Sequence, residues 1–381
     1  MSAPIWHELA GQPEAIGQLE LAVRNRDGGV HHAWLFTGPP GSGRSNLAVA
    51  FAAALLCTEG GCGECKSCRM VTGGTHPDVT VLATERIQIS IEEVRALVTN
   101  SYLGSSVGKY RVMIIEDADR MTDRTSNVLL KALEEPPVNT IWMLCAPSEA
   151  DLLPTIRSRV RRISLKVPSV EEVARLLVER NGIEPKLASQ VAAEAQSHIG
   201  MALRLATSTE ARSRRRETLL SALNISGVSS AMMAADQWTN IAKKDADALT
   251  ILRDAEEREQ LLATMGLKEG ETIPPALRPS FKQLEEAQKR RATRSMRDGI
   301  DRILVDLLSL YRDVLTLQLR ASVPLVNDDL RSSMEKLAES STAAQTLEKL
   351  ESIAVARKRI DANVQNLLTL EALAVSLRRP Q

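Results

Sequence analysis

Three groups of residues in this sequence could do chemistry. The first is Cys57, Cys62, Cys65 and Cys68, spaced C-x4-C-x2-C-x2-C with Gly60, Gly61 and Gly63 between them. Thiolates this dense in a glycine-rich stretch can close a tetrahedron around Zn²⁺. Disulfides and separate core cysteines are the other readings. Four thiolates leave no open coordination position, so such a zinc is structural rather than catalytic. Cys145 sits in an apolar run and reads as core. The second group is Gly38, Gly41, Gly43, Arg44 and Ser45, within GPPGSGRS. It follows the template G-x-x-x-x-G-K-[ST], whose backbone N–H groups cradle the phosphates of ATP while Ser/Thr holds Mg²⁺. Arginine stands where the lysine belongs. It keeps the charge, but its planar fork is bulkier than a compact ammonium beside two phosphates. The motif is therefore sound as a fold signal and damaged as an activity signal. The third group is Glu116 and Asp117, at the end of the apolar run 112–115. One carboxylate to orient Mg²⁺ and one to polarise water is the arrangement that nucleotide hydrolysis needs, here in reversed order. A plain acidic turn after a strand is the alternative.

These groups need particular elements beneath them. Residues 33–37 are a short apolar run, enough for one buried strand. Residues 46–57 are alanine-rich and of helix length, so the glycine turn between them sits at a helix N-terminus, where partial positive charge favours anions. Before this, Pro13 opens an amphipathic helix over 13–24. His31 and His32 precede the strand and read as loop residues, not metal ligands. Strands are expected over 79–83, 112–115, 140–146 and 160–165. Helices are expected over 90–100, with Ser90 capping and Glu93 three residues on, and over 126–135, stopped by Pro136-Pro137. Strand–helix alternation across 33–165 implies a parallel sheet covered on both faces.

After Pro168 the pattern is helical throughout. Segments 170–180, 186–197 and 201–206 form a three-helix unit, and 301–319 and 347–377 are strongly amphipathic. Residues 254–297 stand apart as a charged insertion or helical hairpin with a mobile turn, outside the core. Its basic stretch, 289–294, is a solvated face or, alternatively, a nucleic-acid contact. The 381 residues fit two or three domains. A net charge of zero gives no global drive toward nucleic acid or membrane, and 3% aromatics argues against a base-stacking platform. The start carries no signal-peptide pattern and the longest apolar run, 47–57, is too short to span a bilayer, so a cytoplasmic protein is expected.

Several separated motifs agree on one family. The four-cysteine module behind the P-loop, His76-Pro77-Asp78, the run Leu129–Pro137 (LLKALEEPP), Ser158-Arg159 and Gly200–Arg204 (GMALR) together resemble the delta-prime subunits of the bacterial DNA polymerase III clamp loader, within the AAA+ superfamily. The likeness is close over about 6–210 and only helical in character beyond. It implies an α/β P-loop AAA+ domain with a parallel sheet and zinc module over 1–166, a small three-helix lid over 167–210, and an all-α collar domain over 211–381. The resemblance further implies a hetero-pentamer with gamma/tau motor subunits and delta, which opens a sliding clamp and places it on primer-template DNA. Arg159 would be the arginine finger acting in trans on a neighbour's ATP, and Arg204 would belong to the sensor-2 helix. In that scheme the chain has no turnover alone but serves the holoenzyme's clamp-loading ATPase. Arg44, the inverted Glu116-Asp117 and the apolar Ala146-Pro147 at the sensor-1 position all fit a degenerate nucleotide site. A self-sufficient P-loop ATPase of DNA metabolism is the alternative.

Overall fold

The computed structural model describes residues 3–25, 29–265, 267, 273–275 and 277–378. The chain divides into two compact units, Met1–Thr207 and Ser208–Gln381.

The first unit is built on five parallel strands, in the order β2-β3-β4-β1-β5. Along the chain, a 3-10 turn at Pro4–Glu8 precedes α1 (Pro13–Arg24), β1 (Ala33–Thr37), α2 (Arg44–Leu56) and α3 (Lys66–Thr72). Next come β2 (Val79–Leu82), α4 (Ile91–Ser101), β3 (Arg111–Ile115), α5 (Asp123–Glu134), β4 (Thr140–Ala146), α6 (Pro154–Arg157) and β5 (Arg161–Ser164). The three inner strands are buried along their whole length because both faces are covered. Trp34, Phe36, Val112, Ile114, Met143 and Cys145 share one core with Leu19 of α1 and Leu47 and Phe51 of α2. Leu35, Met113, Ile115, Trp142 and Leu144 point the other way, into a core with Val94 and Leu97 of α4 and Leu129 and Leu133 of α5. Helix α2 has nine buried residues of thirteen, five of them alanines, which lets it lie close against the strands. Three capped helices, α7 (Val170–Asn181), α8 (Pro185–Glu194) and α9 (Ile199–Thr207), complete the unit.

The second unit is all helical: α10 (Thr209–Leu223), α11 (Val228–Thr264), α12 (Arg278–Gln318), α13 (Arg331–Glu339), α14 (Ala343–Asp361) and α15 (Asn366–Ser376). Trp238, Leu304, Leu307, Leu310, Tyr311 and Leu373 anchor its core. The α/β fold with a P-loop and cysteine module, three further helices and an all-helical C-terminal region is therefore as expected.

Several element boundaries differ from expectation. Helix α5 begins three residues early because Thr122 accepts the N–H of Thr125 and caps it. Segment 347–377 is two helices, not one. They break at 362–365, where Asn363 takes φ +60°. Of the two expectations for segment 254–297, insertion or helical hairpin, the structure has the hairpin: the segment is the far end of α11 and α12, which run on from the core. Its expected mobile turn falls largely on residues outside those described. Nor is the basic stretch there simply a solvated face. Arg291 is buried, bonded to Asp254 and, at 2.9 and 3.0 Å, to both oxygens of Glu257.

Candidate functional site

The glycine turn joins β1 to α2 as the motif requires. Gly43 caps α2 at φ +90°, a left-handed conformation that a side chain would strain. Gly41, at φ +82°, lies so close to His198 that a Cβ there would sit 2.3 Å from the imidazole Cγ. The segment leading into α9 thus packs directly on the loop, and Ile199 N–H reaches the Gly41 carbonyl at 3.5 Å. Gln12 adds a second tether: its Nε2 donates to the Ser42 carbonyl at 3.4 Å and to the Lys166 carbonyl at 2.8 Å.

Arg44 does not point outward. Its Nη1 donates to the Gly38 carbonyl at 2.7 Å, and its Nη2 lies 3.9 Å from Asp117. The guanidinium is thus drawn across the loop that would hold phosphates and engages the loop's own carbonyl. Asp117, at φ +49°, also meets Arg120 at 3.5 Å. Glu116 continues the β2–β3 ladder, its N–H bonded to the Leu82 carbonyl at 3.0 Å. Asp119, which sequence reading missed, joins this cluster. Burial, and then the charge of Asp117, push its carboxyl above the ordinary range. Beneath them, burial and the charge of Glu116 push the Cys145 thiol up, while Ser45 hydrogen-bonds to it. Cys145 is core, as expected. Arg204 lies on α9, whose first turn abuts the loop. The structure brings Gly38, Gly41, Gly43, Arg44, Ser45, Glu116 and Asp117 together, but with a loop already occupied by its own arginine. The residues present therefore do not match a phosphate cradle with a free compact cation.

The cysteines converge. All four Sγ atoms lie within 4.8 Å of one another. Cys57 and Cys62 are 3.6 Å apart, and Cys65 and Cys57 3.8 Å. With Zn–S bonds near 2.3 Å, the edge of a ZnS₄ tetrahedron is about 3.8 Å. A disulfide needs a separation of about 2.05 Å, and all five cysteines are free. Burial opposes ionisation of Cys57, but the N–H groups of Cys62, Gly61 and Glu59 outweigh it and bring the thiol down to about 6. Burial pushes Cys68 up. This set fits a metal ion that favours four thiolates.

The module is wired into the unit on two sides. Ile5 N–H bonds the Gly61 carbonyl at 3.1 Å, which ties the N-terminal turn to the cysteine loop. Ser67 of α3 bonds His76 Nε2 at 3.2 Å, and His76 Nδ1 accepts the N–H of Asp78 at 3.1 Å. Asp78 is fully buried and accepts three backbone N–H groups, from Ser106, from Val107 at 2.8 Å and from Gly108 at 2.7 Å.

Arg159 lies apart from the P-loop, just past α6 and two residues before β5. It is a third exposed, and its Nη2 pairs with Glu134 at 2.6 Å. Of its neighbours, Arg162 pairs with Glu149, and Arg161 lies over the Trp34 ring.

Residues 11–169 match the family model described as DNA polymerase III, delta subunit. The match covers 159 of the 381 residues, all within the α/β unit. Among curated relatives, subunit delta' of Pseudomonas aeruginosa is 40% identical over 156 residues, 38% of this chain and 48% of its own. Subunit delta' of Bacillus subtilis is 24% identical but aligns over 92% of this chain and 91% of its own. Subunit tau/gamma of Haemophilus influenzae is 31% identical over 45% of this chain and 25% of its own. The chain thus spans about half the length of the Pseudomonas relative and nearly all of the Bacillus one. The resemblance drawn from the motifs to DNA polymerase III delta-prime holds, and the chain is related to subunits of that polymerase. The α/β unit carries most of the likeness. Among the described residues no helix is long and apolar enough to cross a membrane.

Glu134, Asp119, His198 and Asp78 were missed as site residues. Asp78 was legible as part of His76-Pro77-Asp78 but not in its task, and Glu134 left a trace as an acid in the last turn of a helix, where the helix dipole disfavours it.

Proposed function

We propose that the chain is a delta-prime clamp-loader subunit that turns over no ATP itself and supplies Arg159 to a neighbouring motor subunit's nucleotide. The observation that carries this is Arg44: its guanidinium is bonded to the Gly38 carbonyl inside the chain's own P-loop. A loop liganded by its own arginine does not offer the free cation that a β/γ-phosphate needs. Arg159, in contrast, is accessible and outside that constellation. A trans guanidinium neutralises charge developing on a transferring phosphoryl group. The partners in this reading are gamma/tau-type motor subunits and delta in a hetero-pentamer, with the sliding clamp and primer-template DNA handled by the assembly. Zinc is the metal proposed for the four cysteines, in a structural role, and the cytoplasm is the proposed location. ATP with Mg²⁺ is no working cofactor of this chain in this scheme.

The test is reconstitution. The purified chain, mixed with motor and delta subunits, is expected to form a stable complex that loads clamp onto primed DNA, whereas the chain alone hydrolyses no ATP. Turnover by the isolated chain on the order of 1 per second, the pace of working enzymes, would favour the self-sufficient ATPase instead.

A further inference from the structure

We propose that Glu134 is the positioning residue for Arg159: its carboxylate, with the Thr155 carbonyl and the Ser158 hydroxyl, fixes the plane in which the guanidinium meets a neighbour's phosphate. This rests on the reading of Arg159 as a residue that acts on a neighbouring subunit.

Glu134 is the last residue of α5, which Pro136-Pro137 prevent from continuing. A carboxylate there faces the negative end of the helix dipole, an unfavourable place that an adjacent cation offsets. Local rules broken in this way point to a functional cause more often than to an accident. The cation is Arg159. Its Nη2 is 2.6 Å from Glu134 Oε1, while its Nη1 donates to the Thr155 carbonyl at 2.7 Å and to Ser158 Oγ at 3.1 Å. Acceptors from two elements therefore hold both terminal nitrogens. A guanidinium has five donors, so three bonds do not exhaust it, and its Nε–H has no acceptor among the described residues. The neighbouring arginines are held less. Among the described residues Arg157 is exposed with no polar partner, and Arg162 has Glu149 alone.

An ion pair this exposed adds little to folding. Its consequence is geometric. An arginine carries several rotatable bonds, and fixing its planar fork before the ligand arrives removes that cost from the reaction. The run Leu129–Pro137 thus gains a role that helix packing does not explain: it ends α5 where its last carboxylate can hold the finger.

The experiment uses the full chain with Glu134→Ala, Glu134→Gln, Glu135→Ala or Arg159→Ala. Each is assembled into a loader in which only the motor subunit facing Arg159 keeps an intact P-loop, and kcat and KM for ATP are read separately. Glu134→Ala should lower kcat about tenfold with KM unchanged, because a misplaced reacting group loses rate rather than ground-state binding. Glu134→Gln, whose amide oxygen still accepts from Nη2, should stay near the parent rate. Glu135→Ala should match the parent, and the melting temperature of the free chain should not move. In the Arg159→Ala background, Glu134→Ala should add nothing. If Arg159→Ala has no effect, the finger reading itself fails. A full Arg159→Ala loss beside an unaffected Glu134→Ala overturns the positioning role alone. Equal losses for Ala and Gln, or a faster Glu134→Ala loader, overturn it too.

Discussion

At the scale of single residues, Asp78 shows what a buried carboxylate does when fully used. Burial alone would raise its carboxyl, but the N–H groups of Gly108, Ser106 and Val107 outweigh that and hold it below the ordinary range. The folded state therefore favours the ionised form. The stability this gives is present above the unfolded carboxylate range, near 4, and is lost as pH falls through the lower folded value. Asp78→Asn keeps the shape but replaces one accepting oxygen with a donor facing N–H groups. It should cost about 2–3 kcal/mol in urea unfolding at pH 7 and flatten the acid limb of the stability profile. An unchanged acid limb would mean that other carboxylates govern it. Sequence reading found His76-Pro77-Asp78 but not this task, because the loop it holds is some thirty residues away. The same limit applies to Arg44. Its departure from the phosphate-loop template was plain, whereas its turn onto the Gly38 carbonyl depends on a cradle that only the fold builds. The cysteines were fully legible, since four ligands within twelve residues need no distant partner.

At the scale of elements, the cysteine loop and the long hairpin make separate predictions. The chain should carry about one Zn²⁺, lost in Cys62→Ser and retained in Cys145→Ser, as metal analysis would show. Removing the metal should lower the melting temperature of the α/β unit, because ligation and local folding are coupled. Chelation without any change in melting would refute the structural role. In the hairpin, Arg291→Ala leaves Asp254 and Glu257 without their shared partner. Breaking a buried pair in this way costs about 3 kcal/mol or more where desolvation is complete, and less here because both acids are partly exposed. Faster amide hydrogen exchange is expected in the far parts of α11 and α12, with the bundle core unaffected. Elements defined by local signals were the readable ones: α1 has the expected bounds, and Ser90 and Glu93 form the expected reciprocal cap. The hairpin was one of the two readings its charged composition allowed, whereas the pairs that cross between its helices, such as Arg291 with Asp254 and Glu257, could not be read from composition.

At the scale of the molecule, Arg159 should matter only in company. Arg159→Ala should leave folding, zinc content and assembly unchanged, since exposed side chains contribute little to stability. DNA-stimulated ATP hydrolysis by the assembled loader should fall, by roughly 10³-fold at the site served and by less in the whole complex. Arg162→Ala is a matched comparison, because Arg162 is also an exposed, ion-paired arginine in the same segment. Equal losses from the two would indicate a general basic patch. The division into an α/β unit and a helical unit was legible from the change of pattern after Pro168, since period and strand alternation survive without knowledge of contacts. The strand order has a consequence for how the chain is made. β1 lies between β4 and β5, so the earliest strand to leave the ribosome waits for two of the latest. Until residue 164 has been synthesised, Trp34 and Phe36 lack part of their cover. The cysteine loop, complete by residue 68, can close long before. During synthesis a metal bound there would be an early fixed point of a unit whose edge strand β5 is made last, while the inner strand β1 waits for both of its partners.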